Sequence, residues 1–428
     1  MHRDINLTIN QVSKIEGHTD CEVKVKDGVV EDVKLRITEN RRFYEMAIKG
    51  KNFLQLPQLV SRICGTCSIA HLSCAIEAVE KALGFTPSPQ TIILRKLLMY
   101  GLYLRDHPLH LYLFSLPDLF NKDSLLEFDD KDPLQHQLVH DAFDLKRAGN
   151  NLSTMIGGRA VHAPLPMVGG FPKVPTKAEI DKVIAEMKAV RPKVELCMKT
   201  FAECPFKFER NTHYVGLTND DFNFIEGTVC SSLGLCIAEK DLGKHLQTVI
   251  IPYSQSAGYK VEGRDYLVGA LARVNLNAKN LHPETRKTAA KYLELFPSNN
   301  VFHNNLAQAI ETLHSIDAAI DLLQKADFKP EAPAKLTPKD CEGVGVIEAP
   351  RGTLYYHLQL KADGTISGGD IVVPTAQNQI NIENDLKKLV QEKLDLPEAA
   401  LQFELEKLIR AYDPCMSCAC HFLKLKWV

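Results

Sequence analysis

Two C-x-x-C pairs stand near opposite ends of the chain: Cys64 and Cys67 in RICGTCSIAH, and Cys415 and Cys418 in DPCMSCACH. Four thiolates converging from two such pairs suit a soft or borderline metal: zinc, nickel, copper(I) or iron. Cys67 and Cys415 are 348 positions apart. Zinc ribbons place their pairs roughly 12–20 residues apart. A shared centre here therefore joins the two ends of a large domain and is not a local staple. Spacing alone leaves two other readings open, a structural zinc site with four cysteine ligands and two independent redox pairs. Neither pair follows the βαβ pattern of a thioredoxin-like site.

The rest of the composition narrows the class. The 428 residues carry 51 basic against 53 acidic side chains, a balance that excludes a broad electrostatic footprint for nucleic acid or an anionic membrane. No apolar run approaches the length of a membrane span: the greasiest, 97–104, is closed by Lys96 and Arg105. The start, MHRDINLTIN, lacks the apolar core of a secretory signal. A soluble, cytoplasmic protein is expected, with neither nucleic-acid binding nor direct membrane insertion. Its twelve cysteines then point to metal or redox chemistry, because a large cytoplasmic protein does not need disulfides.

The pattern along the chain is mixed α/β with helices dominating. INLTINQV and CEVKVKDGVVEDVKLRI alternate at period two, and Asp27-Gly28 supplies a hairpin turn. SIAHLSCAIEAVEKALG is amphipathic and stops at Gly84, so Cys67, His71 and Cys74 fall near one helical face. Thiols at that helix start are expected to have lowered pKa values. A long buried helix is predicted over 91–114, disturbed near Pro108, and another over 136–158. Residues 205–280 read as strands and loops. Helices resume at PETRKTAAKYLELF and LAQAIETLHSIDAAIDLLQKA, and KPEAPAKLTPK (329–339) reads as a linker or surface loop. Three strands, a helix DLKKLVQEKL and a helix LQFELEKLIRAY lead to Pro414, which presents the second pair on a turn.

R-x-C-G-x-C-x-x-x-H near one end and D-P-C-x-x-C-x-x-H near the other resemble the large subunit of the nickel–iron hydrogenases. The resemblance extends to KIEGH (14–18), RRFYE (41–45), IGGRAVHAPLPMVGGFP (156–172), EAPRG (348–352) and IVVPTAQN (371–378), in the family's order. Departures are mild: Lys14 stands for the usual Arg, and Ala163 intrudes before Pro164. The resemblance implies one domain over 1–428 with a large-subunit-like fold, an N-terminal β-hairpin region and a long central helical bundle.

It also implies roles. Cys64 and Cys415 would be terminal nickel ligands, and Cys67 and Cys418 would bridge nickel to an iron carrying CO and cyanide. Glu16 would relay protons beside Cys415. Arg351, fixed by Pro350, would donate to a cyanide and be hydrogen-bonded by Asp106 and Asp413, and Thr375 would donate to the second cyanide. Glu45, the carbonyl of Ile371 and His421 would hold magnesium, or iron. His71 would hydrogen-bond a bridging sulfur, and His162 would lie near the partner's proximal cluster. The other cysteines (21, 74, 197, 204, 230, 236, 341 and 420) have no role in the pattern and are expected as buried small apolar residues.

By the same resemblance the chain would be the catalytic subunit for reversible heterolytic cleavage of H2 into protons and electrons. It is most similar to the cytoplasmic bidirectional multi-subunit group, with NAD(P), a deazaflavin coenzyme, ferredoxin or a disulfide reductase as acceptor. The electrons would pass to an iron–sulfur small subunit, and beyond it to further electron-transfer subunits. A maturation chaperone and an endopeptidase would act on it, the latter removing FLKLKWV (422–428) once nickel is in place. The alternatives are an unmatured or zinc-bound scaffold of the same fold, and an ion-translocating membrane-complex relative.

Overall fold

In a computed structural model, residues 4–40 and 42–420 are described. The alternating N-terminal segment forms a meander in which β1 (Ile5–Ile9), β2 (Thr19–Lys26) and β3 (Val29–Ile37) pair antiparallel in that order. Asp27 and Gly28 both take positive φ, as a tight Asp-Gly turn requires. The hairpin is thus extended by a strand, and it buries every second residue against the C-terminal helices.

Strands β4 (Val215–Thr218), β5 (Thr228–Ser231) and β6 (Cys236–Ile237) form a second antiparallel sheet, and β7 (Leu246–Ile250) pairs with β8 (Ala257–Val261). The third sheet consists of β9 (Cys341–Ala349), β10 (Gly352–Leu360) and β11 (Ile366–Val372), with β10 in the middle.

Helices of eight or more residues among those described are α1 (Ser68–Leu83), α2 (Pro89–Pro108), α3 (Pro133–Gly157), α4 (Lys177–Ala202), α5 (Ala270–Asn277), α6 (His303–Lys325), α7 (Pro374–Glu392) and α8 (Glu398–Ala411). Ser88 caps α2 by accepting from Thr91 N–H, and Asp132 caps α3 by accepting from Leu134 and Gln135 N–H. After Pro108, whose ring nitrogen carries no hydrogen, the chain winds into a wider π-type turn over Leu109–Ser115. The segment PETRKTAAKYLELF is not one helix: it breaks at the buried Ala289 into Pro283–Thr288 and Ala290–Leu293. The 329–339 stretch is a surface loop docked on the body, with Ala334 N–H on the Gly169 carbonyl at 2.9 Å.

Helix α6 lies at the centre, buried on all sides from Asn304 to Ala319 and packed on α2, α4 and α5. Helix α1 lies directly on β9. A Cβ at Gly345 would stand 2.5 Å from the Cys74 carbonyl oxygen, and one at Gly343 would stand 2.3 Å from that of Ala78. Only glycine allows backbone to approach backbone this closely. That contact fixes the height of α1, and with it the cysteine at its N-terminus.

Candidate metal centre

Cys67 is the N-cap of α1, and Cys64 precedes it in extended conformation. At the other end of the chain α8 stops at Ala411, Asp413 takes φ +52°, and Cys415 opens a short helical turn, Met416–Ala419, that carries Cys418. The C-terminal segment is brought back by backbone pairing. Met416 N–H donates to the Glu16 carbonyl at 2.9 Å, Cys415 N–H to Thr375 Oγ1 at 2.8 Å, and Arg42 N–H to the Cys420 carbonyl at 3.0 Å. Arg42 also donates a guanidinium N–H to the Ser417 carbonyl.

The result is one cage. The four sulfurs of Cys64, Cys67, Cys415 and Cys418 all lie within 4.8 Å of one another, and all four residues are buried. Sγ–Sγ separations are 3.4 Å for Cys64–Cys415, 3.1 Å for Cys67–Cys418 and 2.9 Å for Cys415–Cys418. Hydrogen bonding from Cys415 holds the Cys64 thiol well below its ordinary range. Burial pushes Cys415 and Cys418 well above theirs. Cys67 also rises: hydrogen bonds from Cys415 and Cys418 pull it down, but Cys64 and burial outweigh them. The lowered value expected at the start of α1 therefore holds for Cys64 and fails for Cys67. Four thiolates this close cannot all ionise without a cation between them, so the donor set fits a soft metal centre.

Polar groups surround the cage. The Cys415 thiol donates to Glu16 Oε2 at 2.9 Å, and Ser417 N–H donates to the same oxygen at 3.1 Å. Burial raises the Glu16 pKa and charge on Cys64 adds to it, against the pull of those two hydrogen bonds. Arg351, 4 % exposed, pairs with Asp106 at 3.0 Å and Asp413 at 2.9 Å. Burial opposes its charge, but the two carboxylates hold it protonated. His71 places Nε2 3.5 Å from Cys418 Sγ and Nδ1 2.8 Å from the Tyr356 hydroxyl.

Glu45 Oε1 accepts from Ile371 N–H at 3.1 Å, which brings together two of the three groups expected to bind magnesium. The third, His421, lies outside the described residues, as does the 422–428 tail. His162 is half-buried with φ +52°, its backbone N–H on Ser68 Oγ at 3.1 Å, so it sits beside the start of α1.

Two expectations need correction or extension. Of the cysteines expected as buried apolar residues, Cys21, Cys74, Cys197 and Cys420 are buried, whereas Cys204 and Cys341 are only partly so. Cys230 and Cys236 form a disulfide. Antiparallel register sets those two directly opposite each other on β5 and β6, an adjacency that spacing does not reveal. The motifs also missed Arg273, Glu311 and Tyr356, which lie behind the site. An arginine inside the apolar run LVGALARV was the available signal, since a buried guanidinium demands partners.

A buried four-thiol cage flanked by a carboxyl and a guanidinium defines a protein fitted to hold a soft metal between the chain's two ends. The family model for nickel-dependent hydrogenases matches residues 42–139 and 245–421, and the chain belongs to that family. The alpha chain of sulfhydrogenase 1 from Pyrococcus furiosus is 33% identical over 427 residues, covering 98% of each chain. A chain of the F420-non-reducing hydrogenase of Methanothermobacter thermautotrophicus is 29% identical, covering 97% of this chain and 95% of that one. An NAD+-reducing NiFe hydrogenase in the H2-reduced state superposes with TM-score 0.86 at 25% identity, over 98% of this chain and 100% of that one. The NiFeSe hydrogenase of Desulfomicrobium baculatum shares the fold at TM-score 0.77 and 22% identity, over 97% and 100%. No described helix is long and apolar enough to cross a membrane.

Proposed function

We infer that this chain is the catalytic large subunit of a nickel–iron hydrogenase, cleaving H2 reversibly into two protons and two electrons. The observation that carries the reading is the Glu16 carboxyl 2.9 Å from the Cys415 sulfur, at the rim of the four-cysteine cage. Cys64 and Cys415 would be terminal nickel ligands, and Cys67 and Cys418 would bridge to an iron bearing CO and cyanide. When bound, that centre supplies the electron-rich site at which H2 is polarised and its electrons are withdrawn.

The chain's own residues handle the proton and the charge. Cys415 Sγ is the local base, and Glu16, whose pKa burial raises, takes the proton and passes it on. Arg351 stays protonated and would offer a fixed positive charge and N–H donors to diatomic ligands on the iron. Asp106 and Asp413 hold that guanidinium in place, and Thr375 Oγ1 keeps its hydroxyl proton to donate because it accepts from Cys415 N–H. His71 steadies the Cys418 sulfur. Glu45, the Ile371 carbonyl and His421 would bind magnesium and pin the C-terminal segment.

Electrons leave to an iron–sulfur small subunit on the side of His162, and from there to further electron-transfer subunits. The relatives include an NAD+-reducing and an F420-non-reducing hydrogenase, a spread that supports an acceptor site on those other subunits. A maturation chaperone and an endopeptidase would load the metals and remove 422–428, and the complex would work in the cytoplasm.

An infrared spectrum of anaerobically purified protein tests the reading. CO and cyanide stretches, with nickel and iron bound, are expected. Zinc in place of nickel and no diatomic bands would identify a metal-exchanged scaffold and overturn it.

A further inference from the structure

Arg351 is presented by the two-residue turn Pro350–Arg351, which joins β9 to β10. The turn closes at Gly352, where φ is +131° and a Cβ would stand 2.6 Å from Val268 Cγ2, so a side chain is excluded. Beneath it lies Arg273 of α5, one of the largest fully buried side chains. Its Nε and Nη2 donate to Glu311 Oε1 and Oε2 at 2.6 and 2.7 Å. Nη1 donates to Glu348 Oε2 at 2.8 Å and to the Ala349 carbonyl at 3.1 Å. Nη2 also donates to the Pro350 carbonyl at 2.9 Å. All five N–H groups of the guanidinium are therefore used, two of them on the carbonyls immediately before Arg351.

The carboxylates that hold Arg273 are fixed in turn. Glu348 Oε1 accepts from Leu217 N–H and Thr353 Oγ1, both at 2.8 Å, so it spans the two sides of the turn. Glu311 Oε2 also contacts His107 Nε2 at 2.8 Å. Burying three charges is a poor way to stabilise a core, since apolar residues of similar volume commonly do as well or better. A planar, five-donor fork is what a backbone turn needs to be held in one position.

We propose that Arg273 is the positioning residue for Arg351: by clamping the Ala349 and Pro350 carbonyls it sets where the Arg351 guanidinium stands beside the thiol cage. The proposal rests on the hydrogenase reading for its consequence in catalysis, but the clamp itself is tested independently. Arg273→Lys keeps the charge and loses the fork, because one ammonium cannot reach two carboxylates and two carbonyls. Arg273→Gln with Glu311→Gln removes a buried ion pair together and is read the same way if the lysine variant does not accumulate.

Three readouts on purified, metal-loaded protein decide it. A crystal structure of the variant is expected to show the Arg351 guanidinium displaced from between Asp106 and Asp413. Cyanide stretches are expected to shift in the direction given by Arg351→Lys, with nickel content unchanged. Dye-linked H2 oxidation is expected to lose ~10²-fold in kcat with little change in KM, the scale of a misplacement of about an ångström. An Arg351 guanidinium still seated between its carboxylates, with cyanide bands unmoved, overturns the proposal. If the unaltered protein shows no diatomic bands, the hydrogenase reading fails instead, and the crystallographic position of Arg351 still decides the clamp.

Discussion

Cys415 and Glu16 stand 399 positions apart in sequence and meet at 2.9 Å, sulfur to carboxyl oxygen. Their backbones also pair as a parallel bridge, so the contact is set by main chain as well as side chain. On the proposed reading, a proton leaving the cage at Cys415 would find its acceptor already in place.

Glu16→Gln keeps the size of the side chain and its hydrogen bonds but cannot carry a proton. Activity is expected to fall by ~10²–10⁴-fold, the usual contribution of a positioned acid–base group. Nickel and iron content should stay unchanged, and H2/D2O exchange measured beside metal analysis checks both. Exchange at the normal rate would remove Glu16 from the route.

Arg351→Ala leaves Asp106 and Asp413 buried without a cation. A loss of about 3–5 kcal/mol is expected, by analogy with other broken buried ion pairs, and denaturant unfolding reads it. Arg351→Lys should keep most of the stability yet lose about tenfold or more in kcat, because an ammonium is a point charge without the planar fork.

Replacing Cys67 with Ser should abolish bound nickel and iron, with the fold retained by circular dichroism. A hard hydroxyl cannot stand in for a thiolate on a soft metal. Metal analysis by mass spectrometry settles the outcome, and normal nickel in the variant would remove Cys67 from the ligand set.

His314, 1 % exposed, is held neutral: burial, aided by His282, pushes its pKa down to about 4. Between pH 6.5 and 4 the unfolded chain therefore binds a proton that the folded chain does not, so stability falls as pH drops through that window. The loss should approach about 3 kcal/mol. Tm followed from pH 7 to pH 4.5 checks it, and His314→Gln should flatten the slope.

Gly345→Ala places a Cβ against the Cys74 carbonyl and the Ala78 N–H, both of them backbone of α1. The helix must lift from β9, at a cost of about 1–3 kcal/mol. Since Cys67 heads that helix, Tm and nickel occupancy should fall together.

Several elements of the site were legible early because they combine rare residues with short-range pattern. C-x-x-C at each end, the helical period after Cys67 and Pro414 before Cys415 each act within a few residues. The resemblance then ordered Glu16, Arg351 and Thr375 around the cysteines, and all three prove to lie at the cage. Arg273, Glu311 and Tyr356 escaped because a buried arginine and a core helix glutamate carry no local signature. Their meaning lies in partners 38 to 285 positions away. The Cys230–Cys236 disulfide escaped for the same reason, since strand register created it.

What the sequence determined by itself is the chemistry: four thiols in two pairs, too far apart for a local finger, with a carboxyl in a motif before the first pair and an arginine in a motif between the two. Composition added a balanced charge and enough apolar residues for a large buried core. What only the tertiary structure decided is convergence. Backbone contacts at Gly343 and Gly345, the Glu16–Met416 hydrogen bond and the Arg273 clamp are non-local, and each tolerates only small displacements between segments far apart in the sequence. Ligand identity is written residue by residue, but a metal cage exists only when packing brings its ligands within one coordination radius.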